Sequence, residues 1–171
     1  MPDHTSADGE PFGNPRPDSL LRYSWIVEGS VAVGPAPRNY EVLQRLGFDA
    51  AVNLQEETEP GPLGQPEPDQ FTVISVPIRD GVIGGVPTVD QVTRAAESIH
   101  ELVQEERSVY VHCFAGVGRS PMACIAYVAR YTSTTLDEAI QRILVCHRFA
   151  EPNADQLAAV EAFLETAKTG H

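Results

Sequence analysis

The segment from Val109 to Arg130 constrains this chain more than any other. Val109 to Val111 is an apolar run of strand length, residues 113 to 118 form a glycine-containing loop, and a largely apolar helix is predicted from about Ser120 to Arg130. A strand of continuous apolar residues is buried on both faces, as in a parallel sheet covered by helices. The segment therefore predicts strand, loop and helix at the centre of an α/β domain.

The rest of the chain supplies elements to surround it. Tyr23 to Val27 and Val31 to Val33 read as two short strands joined by Glu28-Gly29-Ser30. Asn39 to Leu46 carries Tyr40, Leu43 and Leu46 at helical spacing and stops at Gly47; Ala50 to Leu54 and Phe71 to Val76 are strand-like. Thr88 with Gln91, Thr135 with Glu138 and Asn153 with Gln156 have capping-box spacing and mark three helix starts, the first running to about Glu106. Strands alternating with helices predict a single α/β domain over residues 20–168, with a central, mainly parallel sheet flanked by helices on both faces. Residues 1–19 hold four prolines and few large apolar side chains, so a flexible tail is expected there. The stretch Gln55 to Gln70, with four prolines, four glutamates and one aspartate, reads as a long acidic loop exposed to solvent.

Composition narrows the partners. A formal charge of −12 disfavours nucleic acid and anionic membranes. Lys168 is the only lysine, so positive charge is almost entirely guanidinium, suited to bidentate contact with oxyanions. Three cysteines, without a charged and apolar leader at the start, argue against a disulfide framework and for a reducing, cytoplasmic setting. Oligomeric state is not legible.

The loop between strand and helix carries the chemistry. Cys113 follows the strand, and Arg119 stands six positions later at the opening of the helix. Backbone N–H groups of Phe114, Ala115, Gly116, Val117 and Gly118 can converge on a bound dianion, helped by the positive end of the helix, with Gly116 and Gly118 permitting the backbone angles. A thiol at a helix N-terminus beside a cation releases its proton readily, which makes Cys113 a nucleophile candidate. Arg119 offers a planar fork to two phosphate oxygens, and Ser120 a hydrogen bond to the sulfur. Ester cleavage also needs a proton on the departing oxygen. Asp80, ahead of Gly81, Gly84 and Gly85 on a glycine-rich loop, is chosen for that role over Asp90, whose position in a first helical turn is already explained by the helix dipole.

HCFAGVGRS resembles the HCxxGxxR[ST] signature of the protein-tyrosine phosphatase superfamily. VPIRDG resembles that family's general-acid loop, AVNLQEE an earlier strand and loop, and HRFAEPNADQ the approach to the last helix. The resemblance spans about Leu20 to Leu164 and points to compact, atypical dual-specificity members. It implies a two-step reaction through phosphocysteine without metal or cofactor, acting on phosphorylated protein or a small phosphomonoester: phosphotyrosine first, with phosphoserine and phosphothreonine open. Relatives acting on phosphoinositides usually carry lysine or arginine inside the loop, and none stands here.

Plainer readings remain beside these. Cys124 and Cys146 are expected to be buried apolar side chains, His112 an orienting group, and Arg79 and Arg148 either surface ion-pair partners or contacts to phosphoprotein. A rhodanese-type sulfurtransferase, a phosphoprotein-binding pseudophosphatase and a redox sensor using Cys113 with Cys124 or Cys146 are the rival functions.

Overall fold

The computed structural model describes residues 21–169; the expectation for residues 1–19 lies outside them. Five strands, β1 (Ser24–Val27), β2 (Val31–Gly34), β3 (Ala50–Asn53), β4 (Thr72–Ser75) and β5 (Val109–His112), form one sheet in the order β1-β2-β5-β3-β4. Only β1 runs antiparallel to its neighbour. The strand of the central segment, β5, is also the middle strand, pairing in parallel with β2 and β3.

Alternation along the strands decides what each face meets. Val31, Val33, Ala50, Val52, Val109 and Val111 face one way, into the larger core. That face is covered by α2 (Val89–Gln104), α3 (Arg119–Tyr131), α4 (Leu136–Cys146) and α5 (Ala154–Thr169). Ala32, Ala51 and Tyr110 point the other way, to Tyr40, Val42 and Leu43 of α1 (Tyr40–Arg45) and to Phe48 and Phe71. Both faces are thus covered, one by four helices and one by a short helix with an aromatic cluster. Helix α3 is buried from Arg119 to Val128 and packs against α2, α4 and α5, which is why its sequence lacks a polar face.

The caps follow their side chains. Thr88 with Gln91 and Thr135 with Glu138 form reciprocal capping boxes, and Asn153 and Gln156 exchange the same pair of bonds at the start of α5. One expectation fails: Cys146 is exposed. The inward stripe at the end of α4 runs through Ala139, Ile143 and His147 in steps of four, and Cys146 falls beside it. Among the described residues no helix is long and apolar enough to cross a membrane.

Candidate active site

Strand β5 ends at His112, and the chain turns directly into Cys113, which is 2% exposed at the floor of a cleft of about 720 Å³. Helix α3 begins at Arg119 with no side chain capping its first turn, so its unpaired N–H groups and the positive end of its dipole are open toward the loop. Ser120 Oγ lies 3.3 Å from Cys113 Sγ and 3.4 Å from Gly34 O, so its one proton can serve either acceptor.

The loop is shaped by where its carbonyls go. Phe114 O accepts from Ala36 N at 2.9 Å, Gly116 O from His147 Nε2 at 2.8 Å, and Val117 O from Glu151 N at 2.7 Å. Each carbonyl is therefore turned away from the sulfur. In a trans peptide the following N–H points opposite to the carbonyl, which turns the N–H groups of Ala115, Val117 and Gly118 inward. Gly116 makes the turn possible: its φ is +75°, and a Cβ there would lie 2.6 Å from the Gly34 carbonyl carbon.

Behind the loop, His112 Nδ1 lies 3.1 Å from Cys113 O, and Nε2 lies 3.1 Å from Tyr40 Oη. A carbonyl only accepts, so Nδ1 carries the proton and Nε2 receives the tyrosine hydroxyl. Burial pushes the His112 pKa down to about 4, with Arg119 adding to the shift and the Cys113 bond opposing it. This histidine is a neutral orienting group, as expected.

Arg119 is 2% exposed and its two terminal nitrogens are fully engaged. Glu59 accepts from Nη1 and Nη2 end-on, both at 2.7 Å; Nη1 also donates to Ile78 O at 2.8 Å, and Nη2 to Asp80 Oδ2 at 3.1 Å. Burial opposes the guanidinium charge, but the Glu59 bonds and the charges of Cys113, Glu59 and Asp80 outweigh it and raise the pKa further. Because Glu59 takes the inner proton of each terminal nitrogen, Asp80 holds the outer Nη2 proton, on the same edge as Nε.

Asp80 caps a 3₁₀ turn over Gly81–Ile83, with Oδ1 accepting from Val82 N at 3.0 Å. The turn is closed by Gly85 N to Asp80 O at 2.9 Å. The rejected candidate, Asp90, is exposed in the first turn of α2. Cys113, Asp80, Ala115, Val117, Gly118 and Arg119 all line the cleft. Cys124 is buried in α3, where burial raises its thiol pKa.

Two site residues escape sequence reasoning. Glu59 belongs to the stretch 55–70, expected to be solvated; residues 64–67 are exposed, but the first part turns inward onto Arg119. A buried guanidinium needs a counter-charge, which is a signal that some acid must be near Arg119 without saying which. Gln55 anchors this segment by donating Nε2 to Pro60 O at 2.8 Å. His147 is the second: it opens the HRFAEPNADQ segment, but nothing in that segment assigns it a role at the loop.

A family model described as "Dual specificity phosphatase, catalytic domain" matches residues 33–165. Dual specificity phosphatase 28 of Mus musculus is 29% identical over 126 residues, covering 74% of this chain and 73% of that protein. Dual specificity protein phosphatase 14 of Mus musculus is 29% identical over 115 residues, 67% of this chain but 54% of that protein, so the match spans little more than half of that relative. Among solved structures, a mouse putative dual specificity phosphatase complexed with zinc tungstate superimposes with a TM-score of 0.72 at 23% identity, covering 86% of this chain and 89% of that one, which shows the shared fold. With most of its length inside the family model, this chain belongs to the dual specificity phosphatase catalytic-domain family.

Proposed function

We propose that this chain hydrolyses phosphomonoesters through a phosphocysteine intermediate, with protein phosphotyrosine as its first substrate class and phosphoserine and phosphothreonine as the wider one. The observation that carries this reading is the meeting of Cys113, Arg119 and Asp80 in one cleft, with Ser120 Oγ buried 3.3 Å from the sulfur and the loop carbonyls of Phe114, Gly116 and Val117 bonded outward.

In the first step the thiolate of Cys113 attacks phosphorus. A P–S bond forms, the P–O ester bond breaks, and the proton of Asp80 passes to the departing alcohol or phenol oxygen. Arg119 and the inward N–H groups hold the equatorial oxygens as charge shifts through the transition state. An incoming dianion must displace Asp80 from Nη2, which frees the carboxyl to meet the leaving oxygen. In the second step water attacks phosphorus, Asp80 takes its proton, the P–S bond breaks, and the sulfur leaves as thiolate with the Ser120 hydroxyl turned toward it. Inorganic phosphate is released.

Retention of the nucleophile, the guanidinium and the acid in one cleft favours turnover over phosphoprotein capture. A reducing, cytoplasmic setting is proposed with it, supported by Cys113, Cys124 and Cys146 all being free thiols. The test is hydrolysis of an aryl phosphate and a phosphopeptide panel with chelator present. Cys113→Ser is expected to abolish turnover with the unfolding transition unchanged, and Asp80→Ala to slow aryl phosphate hydrolysis by about 10² to 10⁴-fold. Sulfur transfer from thiosulfate to cyanide without phosphate release would overturn the reading.

A further inference from the structure

The loop around Cys113 is held from outside at Phe114, Gly116 and Val117, and two of those holds are backbone N–H groups, from Ala36 and Glu151. The third is a side chain, His147, reaching 31 positions back to Gly116. Gly116 has no side chain of its own to hold its peptide in place. Its φ of +75° leaves it conformationally permissive, and it rests against the Gly34 backbone.

The protonation of the ring can be worked out from its partners. Gly116 O only accepts, so Nε2 must carry a proton. Burial holds the His147 pKa below its ordinary value despite the favourable Gly116 bond, so the ring is neutral at pH 7 and Nδ1 is a bare lone pair. Ser24 Oγ lies 2.8 Å from Nδ1 and is therefore the donor. Ser24 belongs to β1 and His147 closes α4, so two elements remote from the motif meet at one ring, whose tautomer the Gly116 carbonyl selects and whose orientation Ser24 holds. The ring is 1% exposed overall and lies along the wall of the cleft that holds Cys113.

We propose that His147, oriented by Ser24 and carrying its proton on Nε2, is a positioning residue that keeps the Gly116 carbonyl turned outward and thereby aims the Val117 N–H at the bound oxyanion. This rests on the phosphatase reading above. Without the Nε2 donor, the Gly116 peptide loses the one bond that opposes its rotation, and a rotated peptide presents a carbonyl dipole to the phosphate. A histidine that merely filled space would affect stability, and folded molecules would bind oxyanion as before.

The test uses the full chain, inorganic tungstate as the oxyanion probe in competition with an aryl phosphate, an unfolding midpoint for every variant, and ¹⁵N spectra of the ring. His147→Ala is expected to weaken tungstate binding by at least about tenfold, and His147→Gln, whose amide restores a donor, to recover most of it. Folded His147→Ala with wild-type tungstate affinity overturns the proposal. Should that variant fail to fold, Ser24→Ala decides: severalfold weaker tungstate binding by the folded variant, with a shifted His147 Nδ1 resonance, supports the proposal, and wild-type tungstate affinity overturns it. If the unaltered chain neither binds tungstate nor hydrolyses the ester, the phosphatase reading itself falls, a result distinct from failure of the His147 latch alone.

Discussion

Arg119 is surrounded by more negative charge than it can neutralise, with Glu59 on its end and Asp80 on its outer edge. The two acids differ in geometry. Glu59 is bidentate and mostly buried, whereas Asp80 makes one longer bond and is about one third exposed, so an arriving dianion displaces Asp80 and leaves Glu59 in place. Glu59→Gln removes the charge and sets an amide donor against a guanidinium donor. It should lower stability by about 1 to 3 kcal/mol, the cost of losing a charged bidentate hydrogen bond while Asp80 still opposes the guanidinium charge, and reduce kcat/KM; urea unfolding that matches the unaltered chain would show that Glu59 does not hold the arginine. Cys113, Arg119 and Ser120 share one local pattern in the sequence, and Asp80 is chosen on its glycine-rich loop and on the resemblance of VPIRDG to the family's general-acid loop. Nothing in the sequence assigns Glu59 and His147 to the loop: they reach it from 60 and 31 positions away, and Glu59 sits among prolines that suggest a solvated loop. Contact across such distances is decided by tertiary packing.

At the scale of elements, the phosphate loop is a short segment held in shape by outward bonds, and Gly116 tests whether that shape matters. Gly116→Ala meets both a left-handed φ and the Gly34 backbone 2.6 Å away. Gly29 has nearly the same φ, +78°, but open space around it. Gly29→Ala should cost roughly 1 kcal/mol of stability and leave turnover unchanged, whereas Gly116→Ala should cut aryl phosphate turnover by about a hundredfold or more, as when an oxyanion donor is lost. Equal activity in the two variants would mean that the loop tolerates reshaping. The helix starts at Thr88, Thr135 and Asn153 were readable because a capping box is complete within four residues. Strand ends shifted by about one residue, as with Phe71 to Val76 against Thr72–Ser75, because pairing with a neighbour sets where a strand stops. The sheet order was not legible for the same reason: β5 lies between β2 and β3 through contacts that no local pattern encodes.

For the whole molecule, acid acts in two opposed directions. A formal charge of −12 moves toward zero as pH falls toward the pI of about 4.7, relieving repulsion that salt already screens over roughly 8 Å at physiological ionic strength. Against this stands His112, buried with its pKa near 4 and wedged between Tyr40 and the Cys113 carbonyl. Unfolded, it takes a proton near its ordinary 6.5; folded, it refuses one until about 4. Stability from this residue is thus fully present above pH 6.5 and is lost as pH falls through that window, by about 2 kcal/mol at pH 5 and about 3 kcal/mol by pH 4. His147, whose pKa burial also lowers, contributes with the same sign. The buried term should outweigh the screened surface term, so urea unfolding at pH 5 should give a smaller free energy than at pH 7.5, and the His112 ring resonances should titrate with a midpoint near 4. A midpoint close to 6.5, or equal stability at the two pH values, would mean that the histidine behind the nucleophile is open to water and does not hold the Cys113 carbonyl in place.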